Sequence, residues 1–217
     1  MDQLTFTVQR TAFVPLLGNL SDETEFVWIM LHGYRQSARD FLALFSTEVA
    51  AHRCFLAPEG LSRFYSKGGE GAVVASWMTK ENRASEIDDY LGYLATVLNF
   101  VVEKAPKARV FLLGFSQGAA TAARFFCHTE SHSVHSLILW GAVFPSDIEF
   151  SLKEKKEARP IFLVNGSADP YLPSKLQLPD FAKHAIEIAF DGGHELPLNE
   201  IRNTIYRVEI AHVDQAN

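Results

Sequence analysis

An α/β fold with a mostly parallel central sheet and helices on both faces is what this sequence predicts, and three observations carry the prediction. Apolar runs of strand length alternate with longer segments of helical period, the pattern of successive βαβ units. Most of those runs are apolar throughout, as strands covered on both faces require. One of them, 110–115, turns between Gly114 and Gly118 directly into a helix rich in small residues (Ala119, Ala120, Ala122, Ala123). The chain has 217 residues, 47% of them hydrophobic and 17 of them Phe, which is enough for one sizeable core. No repeat and no second block large enough for a cap is present, so residues 1–217 read as a single domain.

The elements follow in order. Segment 4–10 alternates Leu4, Phe6 and Val8 with polar residues and reads as a strand; 26–31 is wholly apolar and reads as a buried one. A helix over 37–51 places Phe41, Leu42, Leu44, Phe45 and Val49 on one stripe, and a short strand follows at 54–57. The long aromatic segment 58–83 is predicted as a loop packing over the carboxyl edge of the sheet, where it walls the substrate pocket with Trp77 as a contact. Helix 86–103 carries Ile87, Tyr90, Leu91, Leu94, Val97, Leu98, Val101 and Val102 at spacings of three and four, and Pro106 ends it. Strand 110–115 leads into helix 117–128. Strands at 137–140, 161–164 and 185–190 and a helix at 198–211 complete the chain, and the charged run 153–157 reads as a solvated surface.

Composition narrows the function classes. A net charge of −6 and a pI near 5.7 supply no long-range attraction for nucleic acid or anionic lipid. The first residues, Met1 to Phe6, show neither the basic nor the apolar region of a secretory signal. The apolar runs are shorter than a bilayer span, so a cytoplasmic protein without integral membrane association is expected. Cys54 and Cys127 form no spacing motif and read as reduced thiols. His128, His132 and His135 lack nearby cysteine or acidic partners, so neither a metal nor a cofactor is predicted.

The chemistry concentrates at Ser116. A serine hydroxyl becomes a useful nucleophile only where a histidine can take its proton, and a sharp strand-to-helix turn flanked by glycines presents it that way. The base and its orienting acid are sought downstream in the order Asp or Glu, then His. Asp169 follows the buried strand 161–164 through Asn165-Gly166-Ser167-Ala168, and His194 follows the next strand through Asp191-Gly192-Gly193. Asp147, Asp180 and Asp191 are the competing acids, Asp191 foremost. An oxyanion hole is expected from the N–H of Gln117 and that of Tyr34, in the loop after strand 26–31; His32 there reads as a packed structural histidine. The residues therefore point to a serine hydrolase acting on a small-molecule ester or thioester, with a homodimer left open. A non-hydrolytic protein that binds a ligand or partner through the same pocket is the alternative.

Leu31-His32-Gly33, Gly114-Phe115-Ser116-Gln117-Gly118, the run from Gly166 to Pro173 and Gly193-His194-Glu195 together resemble the phospholipase/carboxylesterase family of α/β-hydrolases, which includes the acyl-protein thioesterases. The resemblance implies an α/β-hydrolase fold without a separate cap domain. It also implies Ser116 as nucleophile, Asp169 and His194 as its acid and base, and Tyr34 and Gln117 as oxyanion donors. Arg35 stands where that family usually carries glycine. Its guanidinium either reads a substrate carboxylate or faces solvent, pairing with Asp40 or Glu59.

Overall fold

The computed structural model describes residues 4–128, 131–142, 144–148, 159–173, 178–179 and 182–213. Its centre is a seven-stranded sheet of β1 (Leu16–Leu17), β2 (Phe26–Leu31), β3 (Arg53–Leu56), β6 (Arg109–Phe115), β7 (Val134–Trp140), β8 (Ile161–Gly166) and β9 (Ile186–Phe190), ordered β1-β3-β2-β6-β7-β8-β9. Every pairing is parallel except that of β1 with β3. Between β3 and β6 the chain also makes a separate antiparallel hairpin, β4 (Ser62–Lys67) and β5 (Glu70–Ser76). The helices are α1 (Ala38–Ala43), α2 (Arg83–Lys104), α3 (Gln117–Cys127) and α4 (Leu198–Val213).

The strict alternation of side chains along a strand divides the core in two. From β2, Val27, Ile29 and Leu31 pack with Tyr90, Leu94, Leu98 and Val101 of α2 and with Ala119, Ala122 and Ala123 of α3. Phe26, Trp28 and Met30 of the same strand point the other way, onto Phe41 and Leu42 of α1 and Ile201, Ile205 and Val208 of α4. All six residues of β2 are therefore buried, which is why the segment reads as unbroken apolar sequence. The alanines let α3 lie close against the sheet.

Three expectations need correction. Residues 4–10 form no strand: they pair with nothing among the described residues, and Leu4, Phe6 and Val8 are 79–80% exposed, because the main ladder begins only at β1. The helix predicted over 37–51 stops at Ala43 and gives way to a 3-10 turn at Ser46–Glu48, where the β-branched Thr47 and Val49 favour helix poorly. The stretch 58–83 is largely the β4–β5 hairpin. Its turn residues Gly68 and Gly69 both have positive φ, the conformation a tight hairpin turn demands and glycine supplies. The run 153–157 and Asp180 lie outside the described residues.

Candidate active site

Strands adjacent in space each deliver one residue to the carboxyl edge of the sheet. Across the order β2-β6-β7-β8-β9 these are Tyr34, Ser116, Gly141, Asp169 and His194. Such an edge is where open α/β sheets hold ligands.

Ser116 leaves β6 with φ 54° and ψ −117°, a strained conformation for a residue with a side chain. The elbow tolerates nothing at its flanks. A Cβ on Gly118 would strike the carbonyl oxygens of Leu31 and His32, and one on Gly114 would strike the Gly118 carbonyl. Neighbouring strands hold the turn, since Ser116 N–H donates to Trp140 O at 2.9 Å. The helical ladder of α3 begins with Ala119 N–H donating to Ser116 O, so Gln117 N–H lies outside it.

Asp169 and His194 are brought together by stitching between their loops. Ser167 N–H donates to Phe190 O at 2.9 Å and Ala168 N–H to Gly192 O at 2.8 Å. His194 Nδ1 meets Asp169 Oδ2 at 2.7 Å, with the carboxylate side chain wholly buried and the imidazole 18% exposed. Tyr171 N–H donates to the other carboxylate oxygen at 2.9 Å. The His194 ring is flanked by Phe115 and Tyr171, with centroids 4.9 and 4.7 Å away. Beneath it Gly141 sits at φ 60°, and a Cβ there would approach the imidazole to 3.0 Å. Among the described residues no hydrogen bond joins Ser116 Oγ to His194 Nε2, which is common where no substrate is bound. Of the competing acids, Asp191 accepts from Ser167 Oγ at 3.4 Å and Asp147 is bound to Arg124 and Arg83.

The loop after β2 is held by unusually dense bonding. Gly33 N–H donates to Gln36 Oε1 at 2.6 Å and Arg35 N–H to Ala75 O at 3.1 Å, while Tyr34 N–H between them has no partner among the described residues. His32 uses both ring nitrogens: Nδ1 bonds Gly33 O at 2.8 Å and Nε2 accepts from Gly60 N–H at 3.0 Å. Burial keeps its pKa below the ordinary histidine value, consistent with a neutral structural role. Gln117 adds a strut. Its amide donates to Met78 O at 2.9 Å and accepts from Trp77 N–H at 3.1 Å, tying the start of α3 to the end of the hairpin.

Trp77, expected as a substrate contact, is instead 2% exposed: its indole donates to His32 O at 2.8 Å and it supports the loop from below. Arg35 is exposed at φ 61°, which explains why glycine suits the position, and its Nη2 donates to Ser66 O in the hairpin at 2.7 Å. It pairs with neither Asp40 nor Glu59; Glu59 lies near Arg63. Sequence reasoning overlooked Gly141 and Tyr171 as neighbours of His194. Gly141 follows β7 as directly as Ser116 follows β6, and that position was the available signal. No cluster of three or more His, Cys, Asp or Glu able to hold a metal occurs among the described residues. No helix among them is long and apolar enough to cross a membrane.

Comparisons with known proteins agree with this architecture. Residues 24–204 match the family model described as serine hydrolase (FSH1). Among solved structures, acyl-protein thioesterase 2 of Zea mays superposes with a TM-score of 0.71 at 18% identity, covering 92% of this chain and 99% of that one. A carboxylesterase of Bacillus cereus gives 0.66 at 17% identity, with 92% and 94% covered. A phospholipase/carboxylesterase of Dyadobacter fermentans gives 0.64 at 17% identity, with 93% and 98% covered. No curated protein matches by sequence. The chain belongs to the serine hydrolase (FSH1) family and has the α/β-hydrolase fold.

Proposed function

We propose that this serine hydrolase cleaves carboxylic esters or thioesters through an acyl-enzyme, with Ser116 as nucleophile, His194 as base and Asp169 as the acid that orients it. The observation that carries the reading is the 2.7 Å contact between His194 Nδ1 and the buried Asp169 carboxylate, beside a serine held in a strained elbow. A carboxylate fixed there accepts a hydrogen bond from Nδ1–H, which keeps that proton on Nδ1 and leaves Nε2 as the imidazole's acceptor.

In the first half-reaction His194 Nε2 takes the Ser116 hydroxyl proton as Oγ bonds to the substrate carbonyl carbon. Charge moves to the carbonyl oxygen, where the N–H groups of Tyr34 and Gln117 donate to it. Neither amide has a competing partner among the described residues, so no bond there must break as charge develops. The imidazolium, stabilised by Asp169, then gives its proton to the departing alcohol or thiol. In the second half-reaction water loses its proton to Nε2, attacks the acyl carbon and displaces Ser116, which recovers its proton from the imidazolium. Every step uses this chain's own groups. Labelling with a fluorophosphonate, followed by peptide mapping, tests the reading. An adduct on Ser116 is the expected result; a label on Ser37, Ser62 or Ser167, or none, defeats it.

A further inference from the structure

We propose that Trp77 and the Gln117 side chain form a brace that fixes the spacing of the two oxyanion donors, Tyr34 N–H and Gln117 N–H, so that Trp77 is a positioning residue for the hydrolysis and Gln117 acts through its side chain as well as its main chain. The inference rests on the esterase reading above and adds what holds its oxyanion hole in shape.

The need for a brace comes from the path of the chain. The two donors belong to different segments, the loop after β2 and the start of α3, and neither N–H is held by a hydrogen bond of its own among the described residues. Ser116, at the N-cap position of α3, makes no side-chain cap bond, so the helix start lacks its usual restraint. The segments nevertheless lie close: a Cβ on Gly33 would stand 3.3 Å from Ser116 Cβ. An oxyanion is stabilised only by donors already aimed at it, and a displacement of about 1 Å costs about a hundredfold in rate.

Residues 75–78, at the end of β5 and just beyond it, reach both segments. On the Tyr34 side, Ala75 O accepts from Arg35 N–H at 3.1 Å, Ala75 N–H donates to Gln36 O at 2.9 Å, and the Trp77 indole donates to His32 O at 2.8 Å. Tyr34 is held from both flanks. On the other side, Trp77 N–H donates to Gln117 Oε1 at 3.1 Å, Gln117 Nε2 donates to Met78 O at 2.9 Å, and Ser76 Oγ lies 3.2 Å from the same nitrogen. Trp77 thus bonds toward both donors, through its main chain to one and through its indole to the other. Ser76 and Trp77 are each 2% exposed, so water does not compete for these bonds. The type of side chain at 117 matters as well. Glutamine both donates to Met78 O and accepts from Trp77 N–H, whereas ionised glutamate cannot donate and methionine has no donor. An amide clamped at its far end leaves the Gln117 Cα little room to turn, which fixes the plane of the Ser116–Gln117 peptide and the direction of its N–H.

Gln117→Met and Trp77→Phe test it, each keeping most of the side-chain bulk while removing brace bonds. Turnover is counted per Ser116 titrated with fluorophosphonate, so unfolded protein does not enter the rate. For an acetyl ester, kcat should fall about a hundredfold in Gln117→Met and less in Trp77→Phe, with KM nearly unchanged. The probe of the oxyanion hole is an alkyl trifluoromethyl ketone: Ser116 Oγ bonds to its carbonyl carbon, the hydroxyl proton passes to His194 Nε2, and the carbonyl oxygen takes the negative charge. Its inhibition constant should rise by the same factor as kcat/KM falls. The pH profile of kcat/KM should keep its midpoint, because His194 and Asp169 are untouched. Unchanged kcat per titrated site with an unchanged inhibition constant, whatever happens to the melting temperature, would mean that the brace serves the fold alone and overturns the proposal. A shifted pH midpoint that accounts for the rate loss overturns it too. Should Gln117→Met not fold, Trp77→Phe decides by the same readouts. Wild-type protein that takes no label on Ser116 and cleaves no ester defeats the esterase reading and the brace together, an outcome distinct from an active wild type with unaffected variants.

Discussion

The two edges of the sheet hold similar residues in opposite circumstances. At the amino edge polar groups consume one another. Glu209, nearly buried on α4, accepts from Arg53 Nε at 2.7 Å and from Trp28 Nε1 at 3.0 Å. His212 Nε2 meets Ser136 Oγ at 2.7 Å, and Arg109 donates to the His212 carbonyl. At the carboxyl edge the bonding stops short. Tyr34 N–H, Gln117 N–H, Ser116 Oγ and His194 Nε2 have no partners among the described residues, although everything around them is tied down. Groups that satisfy one another hold a fold together, and rigidly mounted groups left unsatisfied are ready for a substrate.

Substitutions at the two edges should therefore fail in different ways. The largest effect is expected for Ser116→Ala, which should lower kcat for an ester by about 10⁶ without lowering the melting temperature. Asp169→Asn should cost about 10⁴ in kcat by leaving His194 in the wrong tautomer; a greater loss from Asp191→Asn would reassign the acid. At the other edge Glu209→Ala strands the Arg53 guanidinium and the Trp28 N–H. It should destabilise the protein by about 3–5 kcal/mol in chemical denaturation while leaving kcat per folded molecule unchanged.

A smaller effect should come from His212. Burial, aided by the neighbouring His135 and Arg109, pulls its pKa down to about 4. The unfolded chain binds a proton there near pH 6.5 and the folded one does not, so stability is full above that pH and declines as pH falls toward 4. The loss attributable to this residue is at most ~3 kcal/mol. Denaturation curves between pH 4 and 7 should flatten in His212→Gln; an unchanged slope would show that other groups set it. The smallest effect belongs to Arg35→Gly, where relief of the positive φ offsets the exposed bond to Ser66 O. Stability and the preference for carboxylate-bearing esters should each move by less than about 1 kcal/mol. A larger shift in ester preference would mean that the guanidinium reads the substrate.

Legibility in the sequence followed the same division. The strands of the parallel sheet announced themselves because burial on both faces leaves an unbroken apolar run, as in β2 and β6. Ser116 and Asp169 stood out because each follows such a run, and His194 because its loop follows the next strand of the sheet, β9, which is itself largely exposed. The β4–β5 hairpin escaped notice: half of its residues face solvent, and its Gly68-Gly69 turn was the only strong signal. Trp77 was misjudged because composition reports an aromatic residue without reporting where its indole points. Segment 4–10 has a strand's pattern, but pattern alone does not supply a partner.

The distribution of site residues over five neighbouring strands also bears on when activity can arise during synthesis. Tyr34 is translated well before His194, which lies on the loop of a strand that pairs with β8 at the border of the sheet among the described residues. A ribosome-bound chain can therefore assemble most of the sheet and still lack the proposed base. The hydrolase should remain silent until that final strand has left the exit tunnel and docked, so hydrolysis would report completed folding.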